Sequence, residues 1–241
     1  MNLKRRMSAE GIGSLLLAAT VVGSGVMAER LAGGNAAIAL LANTLATVAV
    51  LAVLIALFAP VSQAHFNPAV SLVQAIRGAL PWGDAAAYMV VQILGCCLGT
   101  MLAHGMFDLA WLQASVHVRT GPGQWLAEGV ATFGLILVIL GLPRPRDAAW
   151  MVAAWIGAAY WFTASTSFAN PAITIARSLT GTFSGIRRED VPGFVIAQLS
   201  GALLALLVAR VLFRTAAVTS VARGETPSVA VPRIEPTADP S

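Results

Sequence analysis

The sequence predicts an all-α membrane protein: six spans plus two short half-helices that enter the bilayer without crossing it, arranged as an inverted repeat. Three observations predict this. The chain of 241 residues is 57% apolar and only 11% charged, whereas a soluble domain carries roughly a quarter charged residues. Several of its apolar runs reach the length of about 20 residues that a helix needs to cross a bilayer. Finally, Asn67-Pro68-Ala69-Val70 recurs as Asn170-Pro171-Ala172-Ile173, a polar helix start in each half of an otherwise apolar chain.

The spans are expected at about 9–31, 36–59, 84–106, 124–142, 148–166 and 192–213, from the length and continuity of the apolar runs. Two segments, 67–77 after the second span and 170–180 after the fifth, are too short to cross, yet each opens on a helix-start signature. Short apolar helices at matching places in two halves point to a central site in an inverted repeat. The membrane domain is therefore 9–213, with halves at about 9–106 and 124–213. Residues 1–8 form a short N-terminal segment. The stretch 214–241, rich in Pro, Ser, Thr and Ala, is expected to be a disordered tail.

The halves share the same order of motifs. Ala9-Glu10-Gly11 matches Ala127-Glu128-Gly129, Asn67 matches Asn170, and Gln92-x-x-Gly95 matches Gln198-x-x-Gly201, with offsets of 118, 103 and 106. An odd number of spans per half makes the halves run in opposite directions. Charge sets the orientation. With both ends cytoplasmic, the inner segments hold ten basic residues: Lys4, Arg5, Arg6, Arg77, Arg144, Arg146, Arg210, Arg214, Arg223 and Arg233. The outer segments hold five: Arg30, Arg119, Arg177, Arg187 and Arg188. Basic residues favour the cytoplasmic side, which places the protein in the plasma (inner) membrane with both termini inside. The start, Lys4-Arg5-Arg6 followed by an apolar run and Val26-Met27-Ala28, also has the pattern of a signal peptide. Cleavage there would delete Glu10 and leave five spans, so the first run is read as a span.

Asn followed by Pro starts a helix well. Asn caps the free N–H groups of the first turn, and Pro at the first helical position has no N–H to orphan. Two half-helices entering from opposite faces would put both positive dipole ends near mid-membrane, a region that repels cations and protons. Asn67 and Asn170 would each keep a donor for the lumen, and Ala69 and Ala172 are small enough for the motifs to abut.

Together these features resemble the aquaporin, or major intrinsic protein, family. The likeness covers about residues 8–213 and rests on Ser62-Gln63-Ala64-His65-Phe66-Asn67-Pro68-Ala69-Val70, the second Asn-Pro-Ala, the repeated Glu and the repeated Gln-x-x-Gly. It implies six spans and two half-helices per subunit, a separate pore in each, and a homotetramer. It also implies buried carboxylates at Glu10 and Glu128 that hydrogen-bond the loops ahead of the half-helices, with Gln92 and Gln198 as further structural support. Most members carry Arg directly after the second motif, at an outer constriction; here the residue is Ile173. Counting from the motifs places Thr47 and Ser167 at the same constriction, with the fifth-span position between Ala158 and Ala164. Loss of a bulky, always-charged side chain widens the opening and makes it more apolar. That fits small uncharged solutes larger than water, such as glycerol, urea or a neutral metalloid hydroxide. Thr47, the aliphatic Ile173 and the run Asn170-Pro-Ala-Ile-Thr-Ile-Ala-Arg177-Ser resemble a bacterial subgroup associated with arsenite movement.

Arg177 lies four residues after Ile173, on the same helix face. It either reaches back into the outer vestibule, or snorkels to headgroups or binds loop carbonyls. His65, two residues before Asn67, is a vestibule candidate on the cytoplasmic side; His104 reads as interfacial and His117 as loop. Trp82, Tyr88, Trp111, Trp125, Trp150 and Trp161 are expected in an interfacial belt. The adjacent Cys96 and Cys97 read as packing residues. No nucleic-acid partner, cofactor or metal is implied; the partners are a small uncharged solute, water and the lipid bilayer. Two alternatives stay open, a water-selective channel with an unusual filter and an ion-coupled secondary transporter. A transporter of that kind would need intramembrane charges beyond Glu10 and Glu128.

Overall fold

A computed structural model describes residues 2–142, 144 and 147–213. The expected tail, 214–241, lies outside the described residues, as do Arg146, Arg214, Arg223 and Arg233 of the charge count. The described chain is helical: α1 (Leu3–Leu31), α2 (Ala36–Ser62), α3 (Pro68–Ile76), α4 (Trp82–Met106), α5 (Pro122–Gly141), α6 (Ala148–Phe162), α7 (Pro171–Arg177) and α8 (Val191–Leu212). Five of these are long and apolar enough to cross a membrane, whereas α6 has 15 residues, about 22 Å of helix. The sequence places the end of that span near 166. The helix stops at Phe162 because Thr163 is extended, at φ −106° and ψ 137°. The chain then continues as a loop within the protein to Asn170.

Four helix starts are capped by an asparagine side chain. Asn2 accepts from Lys4 N, and Asn35 accepts from Ala37 N and Ile38 N. At α3 and α7 the cap is Asn67 or Asn170, with Pro68 or Pro171 following. The half-helices are shorter than the segments that predict them, ending at Ile76 and Arg177.

Between membrane helices there is little hydrophobic gain, so close packing decides the contacts. Glycines bring α1 against α4 and α5 against α8. A Cβ at Gly95 would lie 2.4 Å from Gly11 O, and one at Gly201 would lie 2.2 Å from Gly129 O. This is the physical content of the two repeated motifs: Ala-Glu-Gly on one helix meets Gln-x-x-Gly on its neighbour. The outer faces carry Ile38, Leu41, Leu45, Val53, Leu57, Leu94, Leu98 and Leu207, all more than half exposed except Leu41 at 48%, as a lipid-facing surface requires.

The repeat extends to backbone torsions. Gln63, Ala64 and Phe66 have φ of 72°, 51° and 48°; Thr166, Ser167 and Ala169, at the same offset as the two asparagines, have 59°, 49° and 47°. Among the described residues seven non-glycine positions have positive φ, and the six in two matched trios mark loops held by their surroundings rather than by their own preferences. The loop 107–121 lies along 178–190: Gln113 N donates to Leu179 O at 3.0 Å and Arg187 N to His117 O at 2.8 Å. His104 joins the same region, bonding Trp111 O and Thr180 Oγ1.

Two expectations change. Tyr88 is fully buried instead of interfacial; its hydroxyl donates to Ser62 O at 3.1 Å and accepts from Arg6 Nε at 2.8 Å. His104 is buried rather than interfacial. Trp82, Trp111 and Trp150 are 61%, 61% and 71% exposed near helix ends, and both cysteines are free, Cys96 being buried.

Candidate functional site

Each half builds its re-entrant loop around one carboxylate. Glu10 accepts from Ser62 Oγ at 2.5 Å, His65 N at 3.0 Å, Phe66 N at 2.7 Å and Gln92 Nε2 at 2.8 Å. Glu128 accepts from Phe168 N and Ala169 N, both at 2.8 Å, and from Gln198 Nε2 at 2.6 Å. Each glutamine spans to its half-helix as well, Gln92 to Ser71 Oγ and Gln198 to Thr174 Oγ1. Both carboxylates have zero exposure. Burial at that depth is tolerable only with several donors per carboxylate; here the backbone N–H groups of His65, Phe66, Phe168 and Ala169, in the two loops with positive φ, join the side-chain donors.

The asparagines then cross-connect the halves. Asn67 Oδ1 caps Ala69 N at 2.9 Å while its Nδ2 donates to Ala169 O at 2.7 Å. Asn170 Oδ1 caps Ala172 N at 2.9 Å and its Nδ2 donates to Phe66 O at 2.8 Å. An amide nitrogen has two hydrogens, so each asparagine keeps one donor. Ala69 and Ala172 have zero exposure, and they, with Pro68 and Pro171, pack behind the asparagines rather than line open space.

Beside the paired asparagines runs a cavity of about 320 Å³. On α2 its wall is Thr47, Leu51, Ile55 and Ala59; on α6 it is Ala148, Val152, Ile156 and Tyr160. Both are stripes at four-residue spacing, one helix face, and each stripe extends about 18 Å along its helix. Leu17 and Val21 of α1 and Leu135 and Ile139 of α5 complete the apolar side. The half-helices supply Val70 and Gln74 from α3, and Ile173 and Arg177 from α7. His65, Asn67, Ser167 and Asn170 also line it.

The cavity thus brings together Thr47, His65, Asn67, Ser167, Asn170, Ile173 and Arg177. Glu10, Glu128, Gln92 and Gln198 lie behind its wall. At the end where α2 starts and α6 finishes, Thr47 Oγ1 and Tyr160 Oη are 3.4 Å apart. Tyr160 falls in the range expected for the fifth-span position, but only the early end of α6 singles it out. His65 Nδ1 bonds Ser71 Oγ at 3.1 Å, and its Nε2 has no protein partner.

Arg177 is buried and binds a loop carbonyl while bordering the cavity. It is 3% exposed, its Nε donates to Ser184 O, and its guanidinium carbon sits 3.4 Å from the Phe168 ring centroid. Sequence reasoning missed Arg119, whose side chain donates to Gly185 O at 2.8 Å and to Ser165 O at 3.3 Å and lies 5.1 Å from the same ring. No local signal marks Arg119, because a loop docked from another part of the chain places it there. Gln74 was also unmarked, although it stands to Val70 as Arg177 does to Ile173.

Known proteins resemble this chain in both sequence and fold. Residues 1–161 match the family described as Major intrinsic protein. The chain is 55% identical over 217 residues to "Aquaglyceroporin AqpS" of Rhizobium meliloti, covering 89% of this chain and 93% of that protein. It is 32% identical over 101 residues to a "Glycerol uptake facilitator protein" of Streptococcus pneumoniae, covering 34% of this chain and 40% of that one. The X-ray structure of the aquaglyceroporin from Plasmodium falciparum shares the fold at a TM-score of 0.65, with 20% identity, over 92% of this chain and 100% of that one. With the paired Asn-Pro-Ala starts and the cavity beside them, these matches place the chain in the major intrinsic protein family.

Proposed function

We infer that the chain is a passive membrane channel for small uncharged solutes such as glycerol, with water, and that the cavity beside Asn67 and Asn170 is its path. One observation carries this reading: each asparagine caps its own half-helix and clamps the other loop, and both border a single elongated cavity. Three walls are apolar and one is a line of polar groups, so a polyol can slide its carbon backbone along Leu51, Ile55, Val152 and Ile156 while its hydroxyls meet the asparagine donors. The protein named above as an aquaglyceroporin and the one named as a glycerol facilitator support the same solute class.

Thr47, Tyr160, Ser167 and Ile173 are the proposed constriction. With Ile173 in place of a cation, the opening suits a solute wider than water, and a neutral metalloid hydroxide such as arsenous acid belongs to that class. The structural carboxylates leave little for ion coupling, since Glu10 and Glu128 are both engaged by backbone and glutamine donors. We propose a homotetramer in the plasma membrane with both ends cytoplasmic, in keeping with the excess of Lys and Arg on that side.

The test is stopped-flow light scattering on proteoliposomes, comparing water, glycerol and arsenous acid for the wild type and Ile173→Arg. A guanidinium at 173 should cut glycerol and arsenous acid flux more than water flux. Equal losses for all three would contradict the assignment of Ile173 to the constriction. Water flux without glycerol flux in the wild type would instead indicate a water-selective channel.

A further inference from the structure

The two ends of the cavity differ in charge in a way the repeat makes plain. Val70 and Gln74 on α3 have Ile173 and Arg177 as their counterparts on α7, at the same offset as the asparagines, and all four border the cavity. One end therefore lines the cavity with an amide, which accepts from the exposed Arg77 outside the lining at 3.1 Å, and the other lines it with a buried guanidinium.

That guanidinium is built in. Arg177 is 3% exposed, Nε donates to Ser184 O, and the plane rests on Phe168. Among the described residues its two Nη groups meet no hydrogen-bond acceptor, although a buried charge is ordinarily paired. The buried carboxylate of this half, Glu128, is engaged by Phe168 N, Ala169 N and Gln198 Nε2 and makes no ion pair with it. Arg119 adds a second cation over the same ring, and its side chain meets only carbonyl oxygens. Asp190, which accepts from Arg119 N, is paired to the Arg187 side chain at 2.8 Å. Two arginines share one aromatic ring, with Glu128 as the nearby carboxylate; only Arg177 borders the cavity, and Arg119 adds its positive charge from behind the ring.

We infer that Arg177 is a specificity-determining residue, a fixed cation whose Nη groups face the solute path, and that it excludes inorganic cations while offering donors to the oxygens of neutral solutes. Phe168 and Arg119 hold and reinforce that charge. The inference rests on reading the cavity as the solute path. Charge exclusion is thereby moved one helical turn along α7, leaving position 173 free to be wide and apolar.

The experiment uses wild type, Arg177→Gln, Arg177→Lys and Arg188→Gln in proteoliposomes. Sodium entry is read with an internal sodium-sensitive dye, and glycerol flux by light scattering on the same samples. Arg177→Gln removes the charge and keeps an amide donor; it should raise sodium entry on the order of tenfold or more, and glycerol flux is read on the same samples to show that the pore is open. Arg177→Lys keeps the charge and should stay close to wild type. Arg188→Gln removes an exposed arginine and should have no effect. Should Arg177→Gln not insert, Arg177→Met, whose unbranched chain still packs on Phe168, carries the same comparison. Sodium entry at the wild-type level in the neutral variant, or equal leakage from Arg188→Gln, would overturn the inference. Absence of glycerol flux in the wild type would sink the channel reading itself, and the same samples separate the two failures.

Discussion

At the scale of single residues, the site depends on where buried donors are sent. Glu128 offers one oxygen to Phe168 N and the other to Ala169 N. In Glu128→Gln one oxygen becomes an NH2 that faces a backbone N–H, so a buried donor is left unpaired at a cost of about 1–3 kcal/mol. The unfolding midpoint in detergent, followed by tryptophan fluorescence, should fall; an unchanged midpoint would mean that the loop does not depend on the carboxylate. Asn170→Ala should cost about 0.5–2 kcal/mol from the lost cap alone, and more because Phe66 O loses its donor. Most of these residues were legible in the sequence, because they recur in order in both halves and because Asn-Pro has one obvious use at an apolar helix start. Tyr160 and Arg119 were not. Their places depend on how far α6 runs before the loop turns in and on where the 107–121 loop docks, and neither is written in local pattern.

At the scale of helices, the repeated glycines set the closest approaches. Gly95→Ala would push a methyl to 2.4 Å from Gly11 O and Gly201→Ala one to 2.2 Å from Gly129 O. Backbone cannot yield as a flexible side chain does, so α1 and α4, or α5 and α8, must part. Each substitution should destabilise by about 1–3 kcal/mol or more. Gly83→Ala, in the first turn of α4, is the control: nothing lies within 4 Å of its Cβ position, so its thermal midpoint should stay close to wild type. A midpoint for Gly95→Ala clearly below both would bear this out, and a Gly95→Ala protein as stable as wild type would contradict the packing described. The spans were legible to within a few residues from apolar length alone. The end of α6 was not, since Thr163, Ala164 and Ser165 are as compatible with one more helical turn as with the loop they form.

At the scale of the molecule, the two halves are the same device with different fittings. Gly13 makes room for the Phe66 ring, whose atoms would lie 2.0 Å from a Cβ there. The corresponding places in the second half hold Ala131 and Ala169, so small-with-large is exchanged for medium-with-medium. His65 packs edge-on against Tyr88 with centroids 5.5 Å apart, and Phe168 does the same against Phe194 at 5.1 Å. The symmetry was legible in sequence; these exchanges were not, because each is sensible only once its partner across the fold is known. The differences fall on the ends of the path, Gln74 with His65 at one and Arg177 with Thr47 and Tyr160 at the other, while the paired asparagines between them stay alike.

The central claim is that solute passes alongside Asn67 and Asn170 through the cavity that Ile173 borders. The most direct measurement is glycerol permeability of proteoliposomes holding Ile173→Trp beside wild type, with insertion and dispersity in detergent checked on the same preparations. An indole at 173 should obstruct the cavity at that level and bring glycerol flux down toward that of empty liposomes, whereas wild-type flux should rise in proportion to the gradient. Undiminished flux through the Ile173→Trp protein would contradict the account.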